Sequence, residues 1–193
     1  MSDRRRLTLW LVALLLIGMN GSTPGQQRLQ SGPGTNVKLE RSGGPPDGRA
    51  TVRVTLALAP GAKVGELNLT ISFPKDELSY VDLETGGVTD AAEADVKAEV
   101  KASDSDRTAS QLSLKISTLT GKATRKPLLD GAIAYLIFKI AKDVKLNTNI
   151  RFDVSGTAVS PDDPPKPVQP LTVQAAQLLI SREPITGCFF YMH

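Results

Sequence analysis

The chain has 193 residues, 40% hydrophobic and 22% charged, a composition that suits one globular core with flanking segments. Its formal charge of +3 overstates the basic character, because Arg4, Arg5, Arg6 and Asp3 all fall within the first 25 residues and the remainder carries only +1, leaving no electrostatic case for nucleic acid. The one cysteine, Cys188, excludes an internal disulfide and a cysteine-based zinc site, so the core must hold itself.

The N-terminus begins with the positive stretch Arg4-Arg-Arg6, followed by an uncharged apolar run over residues 7–19. As a helix, those thirteen residues reach about 20 Å, short of the ~30 Å bilayer core. That layout predicts a signal peptide or membrane anchor over residues 1–25, with a signal-peptide helix and an exit in the small polar residues from Asn20. No A-x-A motif marks the cleavage point, and no cysteine follows the run to carry a lipid anchor. A flexible linker is expected over 26–34, a β-sandwich over 35–181 and a tail over 182–193 containing Phe189-Phe-Tyr191.

In the body, residues 36–41 read as a first short strand and Gly43-Gly-Pro-Pro46 as a turn. Period-two alternation then recurs. Val52, Val54, Leu56 and Leu58 share one face, as do Leu67, Leu69, Ile71 and Phe73. Val96, Ala98 and Val100 alternate with Asp95, Lys97, Glu99 and Lys101. Residues 91–99 also carry helix-favouring Ala and Glu, but the alternation from Ala94 favours strand. Leu112, Leu114 and Ile116 form a further inner face, and so do Ile150, Phe152 and Val154. Each pattern is that of a half-buried antiparallel strand. Residues 132–141 differ in being apolar on both faces, with Ala134, Leu136, Phe138 and Ile140 on one and Ile133, Tyr135 and Ile137 on the other. A proline-rich loop at 160–167 leads to a closing strand at 171–180. The whole reads as an all-β fold, an antiparallel jelly-roll sandwich of about nine strands.

Catalytic groups are scarce. The sole histidine is His193, the last residue, where nothing orients it against a nucleophile. The carboxylate pairs Asp104 with Asp106 and Asp162 with Asp163 lie in polar loops, without the burial a glycosidase acid requires. Asp104-Ser-Asp106 lacks the glycine and distal glutamate of a calcium loop, and no phosphate-binding glycine motif occurs. No catalytic residue, metal ligand or cofactor site is therefore assigned. Asn68-Leu-Thr70 fits a glycosylation sequon but falls within a predicted strand.

Two stretches carry a family resemblance: Gly65-Glu-Leu-Asn-Leu-Thr-Ile-Ser-Phe-Pro-Lys-Asp-Glu-Leu-Ser-Tyr-Val81, and Asp130-Gly-Ala-Ile-Ala-Tyr-Leu-Ile-Phe-Lys-Ile140. Together with the Val52-x-Val54-x-Leu56 strand ahead of them, they resemble the cohesin domains of bacterial polysaccharide-degrading assemblies over about residues 35–181. The resemblance implies a nine-stranded jelly roll without catalysis. It also implies a protein partner, since cohesins bind dockerin modules on the outer face of one sheet. Two departures stand out: Phe73-Pro74 lacks the aspartate usual before the proline, and Glu66 and Asn68 replace the Asn and Asp often found on the partner-binding strand.

If the strands around Glu66, Lys97, Lys115 and Tyr135 share a sheet, a candidate surface follows. Glu66, Asn68, Thr70, Ser113, Lys115 and Ser117 would frame an apolar centre of Ile133, Tyr135 and Ile137, the usual anatomy of a protein interface. The expectation is thus a secreted or cell-envelope, non-catalytic binding module. Its partner is a dockerin-like module or a component of an envelope or secretion assembly, and any membrane contact runs only through an uncleaved N-terminus. The alternative is direct polysaccharide binding. It is disfavoured because the single tryptophan is Trp10 and only Tyr80, Tyr135 and Tyr191 remain as tyrosines for stacking on sugar rings.

Overall fold

Alternation of apolar and polar side chains puts strands along most of the chain. The computed structural model describes residues 34–102, 107–119 and 125–183. The expected signal segment, nearly all of the linker, Asp104-Ser-Asp106, Cys188 and the aromatic tail lie outside the described residues.

In chain order the elements are β1 (Thr35–Leu39), β2 (Ser42–Gly44), β3 (Arg49–Ala57), β4 (Glu66–Pro74) and β5 (Leu78–Thr85), followed by the short helix α1 (Gly87–Ala91). Then come β6 (Asp95–Ala102), β7 (Ala109–Ser117), β8 (Gly131–Ile140), β9 (Asn149–Arg151), β10 (Asp153–Val159), β11 (Leu171–Gln174) and β12 (Gln177–Ile180). The twelve strand segments among the described residues exceed the expected nine mainly because two predicted strands divide. Residues 148–155 break at Phe152 and residues 171–180 break before Gln177. The two breaks meet, since the Phe152 N–H donates to the Ala176 carbonyl at 3.3 Å. At that point each chain segment passes from one sheet to another. Two further differences are local: β2 occupies glycines read as a turn, and β5 is a strand that alternation alone did not single out.

Three sheets result. A five-stranded sheet runs β11-β1-β3-β8-β5, a four-stranded sheet β10-β4-β7-β6, and a small third sheet β2-β12-β9. Pairing is antiparallel except for β1 with β11 and β2 with β12, which are parallel. The core is built from inward residues of all three sheets, including Val52, Leu136 and Phe138 from the first, Leu69, Ile71 and Leu114 from the second, and Ile150 and Leu178 from the third. Phe138 sits at its centre, its ring 5.2 Å from both Phe73 and Phe152 and 6.1 Å from Tyr80. Edge-on and tilted ring pairs of this kind add to the energy of burial.

Two bulges interrupt the five-stranded sheet. Opposite Thr55 and Val54 the partners are Ala132 and Ala134, so Ile133 is the extra residue of β8. Opposite Phe138 and Ile137 the partners are Tyr80 and Asp82, so Val81 is the extra residue of β5. A bulge inserts one unpaired residue and breaks the alternation of faces. This is why Ile133 and Ala134, neighbours in sequence, are both fully buried. The Ile133 carbonyl accepts hydrogen bonds from the Gly86 N–H at 3.1 Å and from the Thr89 hydroxyl at 3.1 Å, tying the start of α1 to β8. Gly86 is required there, because a Cβ would lie 2.1 Å from the Ala132 carbonyl oxygen.

Candidate functional site

The outward face of the four-stranded sheet is a regular array. Four cross-strand rows run from β10 through β4 and β7 to β6. The first row is Val159, Glu66, Ser117, Asp95 and the second Thr157, Asn68, Lys115, Lys97. The third is Ser155, Thr70, Ser113, Glu99 and the fourth Asp153, Ser72, Gln111, Lys101. Six residues expected to form a polar frame, Glu66, Asn68, Thr70, Ser113, Lys115 and Ser117, are therefore brought together in the middle two strands.

Glu66 organises this face. Its Oε1 accepts from Asn68 Nδ2 at 3.0 Å, and its Oε2 accepts from Ser117 Oγ at 3.0 Å and pairs with Lys115 Nζ at 3.0 Å. The Ser117 hydroxyl also accepts the Leu119 N–H at 3.2 Å, which orients it. The Glu66 side chain is 17% exposed and that of Lys115 48%. Burial by itself pushes the Glu66 carboxyl pKa up, but the hydrogen bonds from Asn68, Lys115 and Ser117 and the charge of Lys115 outweigh it and leave the pKa below the ordinary value. A carboxylate held ionised in this way is a poor proton donor at neutral pH. What the arrangement offers is a fixed pattern of charge and hydroxyl groups, with Thr70, Ser113, Ser155 and Thr157 exposed around a pinned carboxylate.

The expected apolar centre is not part of this face. Strand β8 belongs to the opposite sheet, between β3 and β5, so the single surface drawn from Glu66 to Tyr135 is corrected to two. Ile133 is buried at the bulge. Tyr135 and Ile137 are half-buried on the five-stranded sheet, where Tyr135 lies opposite Arg53 and Glu84, and Ile137 opposite Thr51 and Asp82. The physical reason is that a period of two says which residues share a face of one strand and is silent on which strands adjoin. The same silence hid the contribution of β10. Its outward Asp153, Ser155 and Thr157 complete the array; the alternation of Phe152 and Val154 turned Asp153 and Ser155 outward, but nothing in it placed the strand beside β4.

The sequon asparagine, Asn68, is half-buried in mid-sheet with its amide engaged by Glu66. Asp162 and Asp163 lie in an exposed loop: Asp162 accepts from the Ser160 hydroxyl at 2.9 Å, and Arg125 stands 4.0 Å from Asp163. Among the described residues there is no group of three or more His, Cys, Asp or Glu placed to hold a metal ion, and no helix long and apolar enough to cross a membrane.

Two large, mainly antiparallel sheets and a small third one enclosing a single core, with a hydrogen-bonded polar face turned outward, define a β-sandwich module of the cohesin kind. The Cohesin domain family model matches residues 35–176, about three quarters of the chain, and the chain belongs to that family. No curated protein matches it. Among solved structures it is similar to the sixth cohesin of Acetivibrio cellulolyticus scaffoldin B, determined in complex with a Cel5 dockerin, at 19% identity and a TM-score of 0.63, covering 77% of this chain and 99% of that one. A Clostridium thermocellum cohesin, in the Coh-OlpC–Doc435 complex, aligns at 13% identity and a TM-score of 0.60, over 81% of this chain and 99% of that chain. A non-cellulosomal cohesin from the archaeon Archaeoglobus fulgidus aligns at 18% identity and a TM-score of 0.58, over 76% and 91%. At these identities the likeness is one of fold.

Proposed function

We propose that the chain is an exported, non-catalytic module that captures a protein partner, a dockerin-like domain or a component of an envelope assembly, on the outward face of β10-β4-β7-β6. The observation that carries this reading is the Glu66 network, which holds polar side chains of two adjacent strands in fixed positions on an otherwise exposed sheet. Preorganised polar groups lower the ordering cost of association and confer specificity. Cohesins of the same fold have been solved with dockerins bound, which supports a protein ligand. A polysaccharide context, and export through the segment 1–25, belong to the same proposal.

The test is capture of partners from the native secretome, followed by calorimetry on the partner recovered. Thr70→Arg together with Ser113→Glu, an opposite-charge pair at directly facing exposed positions in the centre of the array, is expected to weaken binding at least tenfold with an unchanged melting temperature. Tyr135→Ala with Ile137→Asp, on the opposite sheet, is expected to leave binding intact. Loss of capture in the second variant and not the first would move the site to the five-stranded sheet. Strong retention on insoluble cellulose, xylan or chitin would overturn the protein-ligand reading. Export predicts a mature N-terminus between about Gly18 and Gln27, checked by N-terminal sequencing.

A further inference from the structure

The two large sheets end in four edge strands, and three of them are shielded or short. Strand β11 has four residues. Strand β5 carries the bulge at Val81. Strand β10 is met on its outer side by residues 166–168, through the Val159–Pro167 bridge and a 2.9 Å hydrogen bond from the Val168 N–H to the Ala158 carbonyl. Strand β6 is different. It has eight residues in unbroken register with β7, contains no glycine, proline or bulge, and among the described residues no strand pairs with its other side. A long regular edge is a template for further pairing, and proteins usually blunt it.

The side chains of β6 carry a pattern that discriminates between pairing modes. On the outward face Asp95, Lys97, Glu99 and Lys101 alternate in sign. On the core side Val96 and Ala98 are half-buried and Val100 is left 49% exposed. We propose that β6 is the edge through which two copies of this chain pair, antiparallel, about a two-fold axis passing through Ala98. In that register Asp95 of each copy faces Lys101 of the other, and Lys97 faces Glu99, giving four opposite-charge pairs. Val96 faces Val100, which covers the exposed valine. Moving the axis by one residue, to Lys97 or to Glu99, keeps the outer faces continuous but sets like charges opposite one another, and parallel in-register pairing does the same. Directly opposed like charges destabilise a strand pair, so these arrangements are disfavoured; an axis at Val96 or Val100 opposes unlike charges in two pairs only, and the axis at Ala98 is the register that pairs all four charged residues of the strand. The product is a continuous eight-stranded sheet formed by addition of one edge to another. The inference stands apart from partner capture, because it concerns the rim of the sheet and is read from oligomeric state.

The test is sedimentation velocity of the full chain over a range of concentrations. A monomer–dimer equilibrium is expected for the wild type, weakening as salt is raised. Lys97→Glu alone, or Glu99→Lys alone, creates two like-charge contacts across the axis and is expected to weaken dimerisation at least tenfold, with circular dichroism and melting unchanged at these exposed positions. An equimolar mixture of the two variants restores both contacts and is expected to recover the dimer. A wild type that stays monomeric at millimolar concentration overturns the proposal. So does a Lys97→Glu chain that dimerises as tightly as wild type, or a mixture that fails to recover.

Discussion

The two large sheets of this domain obey different rules, although both are built from the same alternation. In the four-stranded sheet, β4 keeps register with β7 over nine pairs and with β10 over seven, and β6 keeps register with β7 over eight. Every apolar residue of β4 and β7 at the alternating positions is buried, and the residues between them form the polar array. In the five-stranded sheet, β8 pairs on both sides with a slip of one residue. One sheet presents a face in unbroken register. The other is bent where Ile133 and Val81 are inserted. Bulges increase local twist and re-aim side chains, so the outward face of the second sheet loses the strict alternation that the first keeps.

Removing the residue on which both sheets converge has the largest expected effect. Phe138 is fully buried on β8 and its ring touches Phe73 of the four-stranded sheet and Phe152 beyond β9. Phe138→Ala is expected to cost about 3–5 kcal/mol, measured by denaturant unfolding. A loss below about 1 kcal/mol would mean that the two sheets do not share this core. The bulge itself is tested by a pair of substitutions four residues apart. Strict alternation would give Ile133 and Ile137 the same surroundings, whereas Ile133 is wholly buried and Ile137 only partly. Ile133→Ala is expected to cost about 2–4 kcal/mol, and Ile137→Ala to cost about 1 kcal/mol or less. Equal losses would remove the bulge from the account.

This contrast also explains what could be read from the sequence. Strands β3, β4, β6 and β7 were legible nearly to the residue, because Val52 to Leu56, Leu67 to Phe73 and Leu112 to Ile116 alternate without interruption. The six polar residues of the candidate face were legible for the same reason. The placement of β8 was not, since an apolar run on both faces says only that a strand is covered, and its partners β3 and β5 are distant in sequence. Strand β5 was hidden by its own bulge: Tyr80 and Leu83 turn inward three residues apart, which is no strand period. Gly43-Gly44 looked like a turn because glycine is a weak strand former, yet the pair is held in β2 by parallel pairing with Leu179 and Ile180.

The regular face is tested by charge. Because the folded-state pKa of Glu66 is lowered, its contribution to stability is fully present above the unfolded-state value and is lost as pH falls through the folded value. Glu66→Gln is therefore expected to destabilise the domain by about 1 kcal/mol at neutral pH, and to flatten the loss of stability of the wild type below about pH 4.5. Unfolding measured from pH 7 to pH 3 checks both. Parallel pH curves for the two proteins would show that the network with Asn68, Lys115 and Ser117 is not formed in solution.

The smallest expected effect belongs to the bent sheet and separates a bulge from plain alternation. Continuing the inward positions Leu78 and Tyr80 by steps of two would bury Asp82 in the core, where an unpaired carboxylate is severely unfavourable and its removal would stabilise the fold strongly. With Val81 inserted, Asp82 is instead exposed, opposite Ile137 on the outer face. Asp82→Ala is expected to change stability by less than about 0.5 kcal/mol. The substitution has a spectroscopic signature too. The Tyr80 hydroxyl is held above its ordinary pKa first by burial and second by the negative charge of Asp82. Removing that charge is expected to lower the Tyr80 pKa only part of the way back, because burial remains. Ultraviolet titration of the tyrosines in wild type and Asp82→Ala, with Tyr80→Phe as the reference that identifies the Tyr80 signal, reads the shift directly. A large gain in stability on replacing Asp82 would put the carboxylate inside and restore strict alternation to β5.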